Sequence, residues 1–156
     1  MNNLSDELKN SLKQIALNSS VPFCYHCYVE APLGVCPQCH SDDLMLLIRG
    51  VGLDYGWHWV IEHLISENLT PVDTEETFEQ SIRGCYDETV KIGWIEYDVV
   101  GAIKELDPIS WEMALSEWID EQASEGLLVS FDSGATHVWL HDLESFVESM
   151  LEKEAG

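Results

Sequence analysis

Cys24-Tyr25-His26-Cys27 and Cys36-Pro37-Gln38-Cys39 are two Cys-x2-Cys turns separated by eight residues, Tyr28 to Val35. A Cys-x2-Cys turn offers two thiolates to one metal ion. Two such turns complete a tetrahedron, with Zn–S distances of ~2.3 Å. Cys24, Cys27, Cys36 and Cys39 are therefore the expected metal ligands, and the segment is expected to be a zinc ribbon. Four thiolates leave no open coordination position, so the ion is expected to be structural. Zinc is the expected ion, with iron in a rubredoxin-like site as the alternative. His26 and His40, which adjoin ligands, are read as exposed knuckle residues.

Cys85 lies outside this pattern and has no basic cluster near it in sequence to activate its thiol, so it is read as core filling. Cysteines in metal spacing rather than in a disulfide framework point to the cytoplasm.

On the N-terminal side, Leu4, Leu8, Leu12 and Ile15 recur at helical spacing and predict a helix over Ser5 to Leu17, ended before Pro22. On the other side, Leu44 to Ile48 reads as the closing strand of the ribbon, and Gly50-Val51-Gly52 as a bend or hinge. This divides the chain into an N-terminal helix (1–22), a four-cysteine ribbon (23–50) and a body (51–156).

In the body, Asp54 is read as the cap of a helix to Asn68, with Trp57, Ile61, Leu64 and Ile65 on one side. Trp57 and Trp59 are about 200° apart at ~3.6 residues per turn, so one of them is expected to be exposed. Asp73 with Glu76 resembles a capping box for a helix whose inner stripe is Phe78, Ile82 and Cys85 or Tyr86. Thr89 to Tyr97 reads as strand around Gly93. Asp98 caps a short helix to Leu106, and Asp107-Pro108 opens another with Trp111, Ala114, Leu115, Trp118 and Ile119 inward. A hairpin around Asp132-Ser133-Gly134 and a last helix capped by Asp142 follow. The expected class is α+β, mostly α: helix and ribbon packed on a helical body with short hairpins. The order from residue 74 is compatible with a winged-helix arrangement.

Charge is unevenly spread. Residues 1–50 hold five acids and three bases, whereas residues 51–156 hold 24 acids and four bases. Direct nucleic-acid binding is disfavoured, because phosphate contacts need clustered Lys and Arg, and an anionic membrane surface is disfavoured for the same reason. A basic protein surface is the expected partner. The carboxylates expected to meet it are Glu112, Glu117, Asp120, Glu121 and Glu125, with Asp73, Glu75, Glu76 and Glu79. The bland alternative is a solvated surface that maintains solubility.

Other motifs are weaker. His58-Trp59-Val60-Ile61-Glu62-His63 is one residue too long for the inverted zincin motif, and His58 and His63 do not share a helical face. His137 and His141 are placed on a strand, too far apart for joint chelation. Ser133, His137 and Asp142 resemble a hydrolase trio in composition only. Gly50, Gly52 and Gly56 lack the strand and acidic residue of a dinucleotide fold. No enzyme is expected.

Three short stretches carry a resemblance: Val90-Lys91-Ile92-Gly93, Ala102-Ile103-Lys104-Glu105-Leu106-Asp107-Pro108-Ile109 and Trp118-Ile119-Asp120. With them, residues 78–126 resemble uncharacterised acidic proteins of plasmids, phages and integrative elements. The resemblance implies a mobile-element role, where acidic DNA mimics block restriction enzymes and other defences, and it implies no activity. The expected function is a non-enzymatic interaction protein, in its sharper form a DNA mimic acting on a nucleic-acid-binding or defence protein. The alternative is a transcriptional or assembly adaptor that contacts partners through Tyr25, His26 and Gln38 of the ribbon.

Overall fold

A computed structural model describes residues 4–132 and 134–155. Ser133, and with it the hydrolase-like trio, lies outside the described residues. The chain forms an α+β fold, mostly α, with short antiparallel sheets. It divides into two compact units: the described residues up to Thr70 together with those from His141 on, and the segment Pro71–Leu140.

In the first unit, α1 (Asp6–Asn18) starts where the Ser5 hydroxyl accepts a hydrogen bond from Leu8 N–H at 3.2 Å. Its Leu12, Ile15 and Ala16 are fully buried, and α1 packs on α2 (His58–Asn68), whose inner side is Val60, Ile61 and Ile65. Period-3.6 spacing of these apolar residues is what makes both helices amphipathic. The last helix, α6 (Leu140–Ala155), buries Leu143, Phe146 and Val147. It begins at Leu140, so Asp142 sits inside the first turn rather than capping it. An acidic side chain there still faces the positive end of the helix dipole.

The ribbon belongs to a four-stranded sheet in the order β2-β1-β3-β4. Its strands are β1 (Val21–Cys24), β2 (Val29–Glu30), β3 (Met45–Ile48) and β4 (Gly52–Asp54). The expected bend at Gly50 is thus a hairpin turn, with Gly50 at φ +78°, and the chain returns to pair Leu47 with Leu53. Asp54 ends β4 instead of capping α2, which has Trp57 at its N-cap and no side-chain cap. Trp59 reaches back to this hairpin, its indole N–H donating to Asp54 O at 3.2 Å. Neither Trp57 nor Trp59 is exposed: both are half-buried, Trp57 at the N-cap of α2 and stacked on His58, Trp59 bonded to Asp54 O. Arg49 and Glu30 form a two-bond fork, with both N–O distances 2.7 Å.

In the segment Pro71–Leu140, α3 (Thr74–Cys85) is capped by the Asp73 carboxylate, which accepts from Glu76 N–H at 3.1 Å. A hairpin follows: β5 (Thr89–Ile92) and β6 (Ile95–Asp98), reversing at Gly93 with φ +65°. The single strand expected around Gly93 is therefore two strands, because a left-handed backbone there suits only glycine. Helices α4 (Val99–Leu106) and α5 (Pro108–Ser124) are capped by Asp98 and Asp107, with Pro108 at the first position of α5. Strands β7 (Leu128–Phe131) and β8 (Thr136–Trp139) close the unit. Phe78, Val99, Val100 and Trp111 form its core, flanked by Ile82, Val90, Ile103, Ala114, Leu115 and Trp118. Cys85 or Tyr86 was expected to complete the inner stripe, but both are exposed, because α3 outruns the core after Ile82. A hairpin stands where a winged helix carries one strand, and β7–β8 forms its own two-stranded sheet. Among the described residues, no helix is long and apolar enough to cross a membrane.

Candidate metal centre

Each knuckle is shaped by backbone N–H groups turned toward sulfur. Cys27 N–H lies 3.5 Å from Cys24 Sγ, and Gln38 and Cys39 N–H lie 3.4 and 3.5 Å from Cys36 Sγ. The residue after each knuckle, Tyr28 or His40, adopts a left-handed backbone with φ +56° or +62°. That reversal sends the chain out of the turn: Cys24 pairs with Val29, and Cys36 N–H donates to Ser41 O at 2.9 Å.

The fold brings all four expected sulfurs together, within 4.8 Å of one another. Cys24 and Cys36 are buried, Cys27 is partly covered and Cys39 is exposed. The Cys24 and Cys39 sulfurs are 3.8 Å apart. A regular tetrahedron with Zn–S of ~2.3 Å has edges of about 3.8 Å, so this separation suits a metal ion and is too long for a disulfide. The four sulfurs can hold a metal ion, and their geometry is consistent with zinc.

Thiol acidity points the same way. The N–H of Cys39 and then that of Gln38 stabilise the Cys36 thiolate and lower its pKa to about 6. Burial, followed by the neighbouring thiols of Cys39, Cys36 and Cys24, pushes Cys27 up to about 12. At Cys24 the Cys27 N–H lowers the pKa, but burial and the thiols of Cys36 and Cys39 outweigh it and leave it raised. One thiolate forms readily, and accumulating more of them in this space calls for a cation. Neither neighbouring imidazole joins the cluster: His26 and His40 are exposed, and among the described residues the group within ligand distance is the four cysteines.

The remaining histidines are dispersed. His58 is exposed and stacks on Trp57 with ring centroids 4.0 Å apart, while His63 is half-buried on another side of α2. His137 lies in β8 as expected, and burial lowers its pKa. His141, expected on the same strand, is the second residue of α6, with Nδ1 3.0 Å from Asp142 Oδ1.

The nine acidic candidates sort into two groups. Asp73 is a helix cap, and Glu75 and Glu79 both hold Lys104. Glu76 is exposed, as are Glu112, Glu117, Asp120, Glu121 and Glu125 along α5, and none of these six is in an ion pair among the described residues. Sequence reasoning missed a third feature, the apolar residues left outside on this unit. Trp94 at the tip of the β5–β6 hairpin is 92% exposed, and Leu106 at the end of α4 is 75% exposed. The available signal was positional. Ile109 and Met113 each lie two residues from Trp111, about 200° around the helix at ~3.6 residues per turn, so the core cannot cover them.

Fold and site define an α+β protein that carries a four-cysteine cluster able to hold a metal ion. No protein-family model, curated protein or solved structure matches the chain.

Proposed function

We propose that this chain is a non-enzymatic zinc-ribbon interaction protein whose acidic segment binds a basic surface on a partner protein. One observation carries the reading. The segment Pro71–Leu140 holds sixteen carboxylates and three cations, Arg83, Lys91 and Lys104, and two of those cations are already held by Glu75, Glu79 and Asp98. The exposed carboxylates of α5 therefore face solvent with no cation to balance them. Such a field steers a cationic partner and repels nucleic acid. Zinc, as the closed tetrathiolate ion, holds the ribbon's shape.

The sharper reading is DNA mimicry against a nucleic-acid-binding or defence protein, and the resemblance of residues 78–126 to mobile-element proteins supports it. Charge density limits it. Helix α5 spans 17 residues, about 25 Å at ~1.5 Å per residue, and carries four free carboxylates, Glu112, Glu117, Asp120 and Glu121, with Glu125 at its C-cap. Duplex DNA carries one charge per ~1.7 Å. The helix is thus nearly four times sparser, and a mimic would have to recruit further acids beside it.

The test is affinity capture from the native host at low salt, with the wild-type chain and a variant carrying Glu117→Gln, Glu121→Gln and Glu125→Gln as baits. The reading requires basic proteins that elute with salt and are lost with the variant. Capture indifferent to salt and to these substitutions would refute it. If a captured protein is a DNA-binding enzyme, inhibition relieved by duplex DNA supports mimicry.

The adaptor reading has its own support in the ribbon, where Tyr25 and Tyr28 are exposed and Leu33 is 93% exposed. It requires Tyr25→Ala and Leu33→Ser to abolish capture while the α5 substitutions leave it intact.

A further inference from the structure

Three of the exposed apolar residues of the segment Pro71–Leu140, namely Ile92, Tyr97 and Leu106, line a groove. It is lined by Ile92 and Tyr97 of the β5–β6 hairpin and by Ala102, Glu105 and Leu106 of α4, with a volume of about 130 Å³. That is comparable with the ~150 Å³ apolar cavities known to take a benzene ring. Trp94 stands at the hairpin tip, two residues beyond Ile92 in the chain and outside the groove lining, where an incoming segment that covers the hairpin would meet it; an indole can bury roughly 150–250 Å² in a contact. The hairpin touches the rest of its unit mainly through α4, which leaves most of both strands open to solvent. A two-stranded hairpin is marginal by itself, and apolar residues clustered on such an exposed element mark contact surfaces.

We infer that this groove is the docking site for an apolar side chain flanked by Lys or Arg on a basic partner protein; the inference rests on the basic-partner reading above. Charge identifies the occupant. Glu105 lines the groove and has no ion-pair partner among the described residues, since neighbouring Lys104 is held by Glu75 and Glu79. On the hairpin, Lys91 pairs across the strands with Glu96 and adds no net charge. A cation beside the anchoring side chain would meet Glu105 and the wider negative field, where a neutral apolar segment would gain nothing from either. A second copy of this chain would bring its own Glu105 and a net charge of −22 against the same charge, so self-association is opposed.

The full zinc-loaded chain can be titrated with two peptides of equal charge, Lys-Lys-Leu-Leu-Lys-Lys and Lys-Lys-Gly-Gly-Lys-Lys, following indole emission and two-dimensional amide and indole NMR spectra. The leucine peptide is expected to bind about tenfold more tightly and to shift the Trp94 indole. Trp94→Ala and Leu106→Ser, both at exposed positions, are expected to erase that advantage and leave glycine-peptide binding unchanged. Glycine-peptide binding without a leucine advantage, or an advantage that survives both substitutions, overturns the docking inference and leaves the basic-partner reading standing. Failure of both peptides to bind overturns both. Concentration-dependent dimerisation abolished by Trp94→Ala assigns the groove to a second copy and overturns the inference as well.

Discussion

Lys104 Nζ lies 5.1 Å from the centroid of the Trp111 ring, the buried aromatic at the centre of the segment Pro71–Leu140, while Glu75 and Glu79 hold the same ammonium from α3. One cation thus ties α3, α4 and α5 together. Removing it leaves two carboxylates four residues apart on one helix, which repel. Lys104→Met keeps the aliphatic stem and deletes the charge. Solvent screening of a partly exposed group keeps the loss modest, and the variant is expected to unfold at a lower urea concentration than wild type. Hydrogen bonds from Lys104 to Glu79, then to Glu75, raise the Lys104 pKa. Its contribution is therefore complete below the ordinary lysine value of ~10.4 and fades as pH rises through the higher folded value. Wild type and variant should converge in strongly alkaline buffer.

Asp98 performs two tasks. Its carboxylate accepts from Gly101 N–H at 3.0 Å as the cap of α4 and meets Arg83 at 3.2 Å. Asp98→Asn keeps a capping side chain and loses the ion pair, an exposed one, so its melting temperature is expected to fall only slightly. Asp98→Ala loses both and is expected to fall further. Arg83 first, and the Gly101 N–H second, lower the Asp98 pKa. The charged form is thus favoured by folding, and its contribution is present above the ordinary ~3.9 and lost as pH falls through the lowered value. Melting temperatures of wild type and Asp98→Asn should converge on acidification and stay apart at neutral pH.

His40 is a non-glycine residue at φ +62° in an exposed position. A side chain in that conformation costs roughly 1–2 kcal/mol, and glycine relieves it at the expense of about 0.4–1 kcal/mol of unfolded-chain entropy. His40→Gly is expected to stabilise the metal-loaded ribbon by about 0.5–1 kcal/mol. Tyr28→Gly should gain less, because Tyr28 packs edge-on against Phe23 with centroids 5.1 Å apart. A chelator competition that ranks the two variants checks this.

Cys36→Ser removes the sulfur that two backbone N–H groups address. Apparent zinc-site energies of about 10–16 kcal/mol far exceed what a two-residue β2 and its neighbours can supply. The variant is expected to lose the ion and to lose amide protection across residues 23–49 in hydrogen exchange. Retained zinc with unchanged protection would contradict this.

These particular residues also show which features a sequence makes visible. Asp73, Asp98 and Asp107 were readable as caps because a cap needs only its own side chain and an N–H three residues on, whereas Ser5, read as the first helical residue, is the cap of α1. The cysteine cluster was readable because the spacing within each knuckle positions two sulfurs locally. Strand β4 was not, since three residues, Gly52–Asp54, acquire strand character only by pairing with β3. Cys85 was misplaced for a related reason: helical periodicity gives its direction, while the length of the core beneath α3 decides whether it is covered. Hairpin β5–β6 and its exposed Trp94 were hidden in an apolar run that resembles a buried strand, because periodicity does not say what lies opposite.

Native mass spectrometry with elemental analysis of the purified full chain most directly tests the view of a closed sulfur-caged ion in a protein that works by contact. One zinc ion per chain is expected, lost in Cys36→Ser and unaffected by His58→Ala and His63→Ala. A second ion per chain, released by those histidine substitutions, would contradict the account and place metal chemistry on α2.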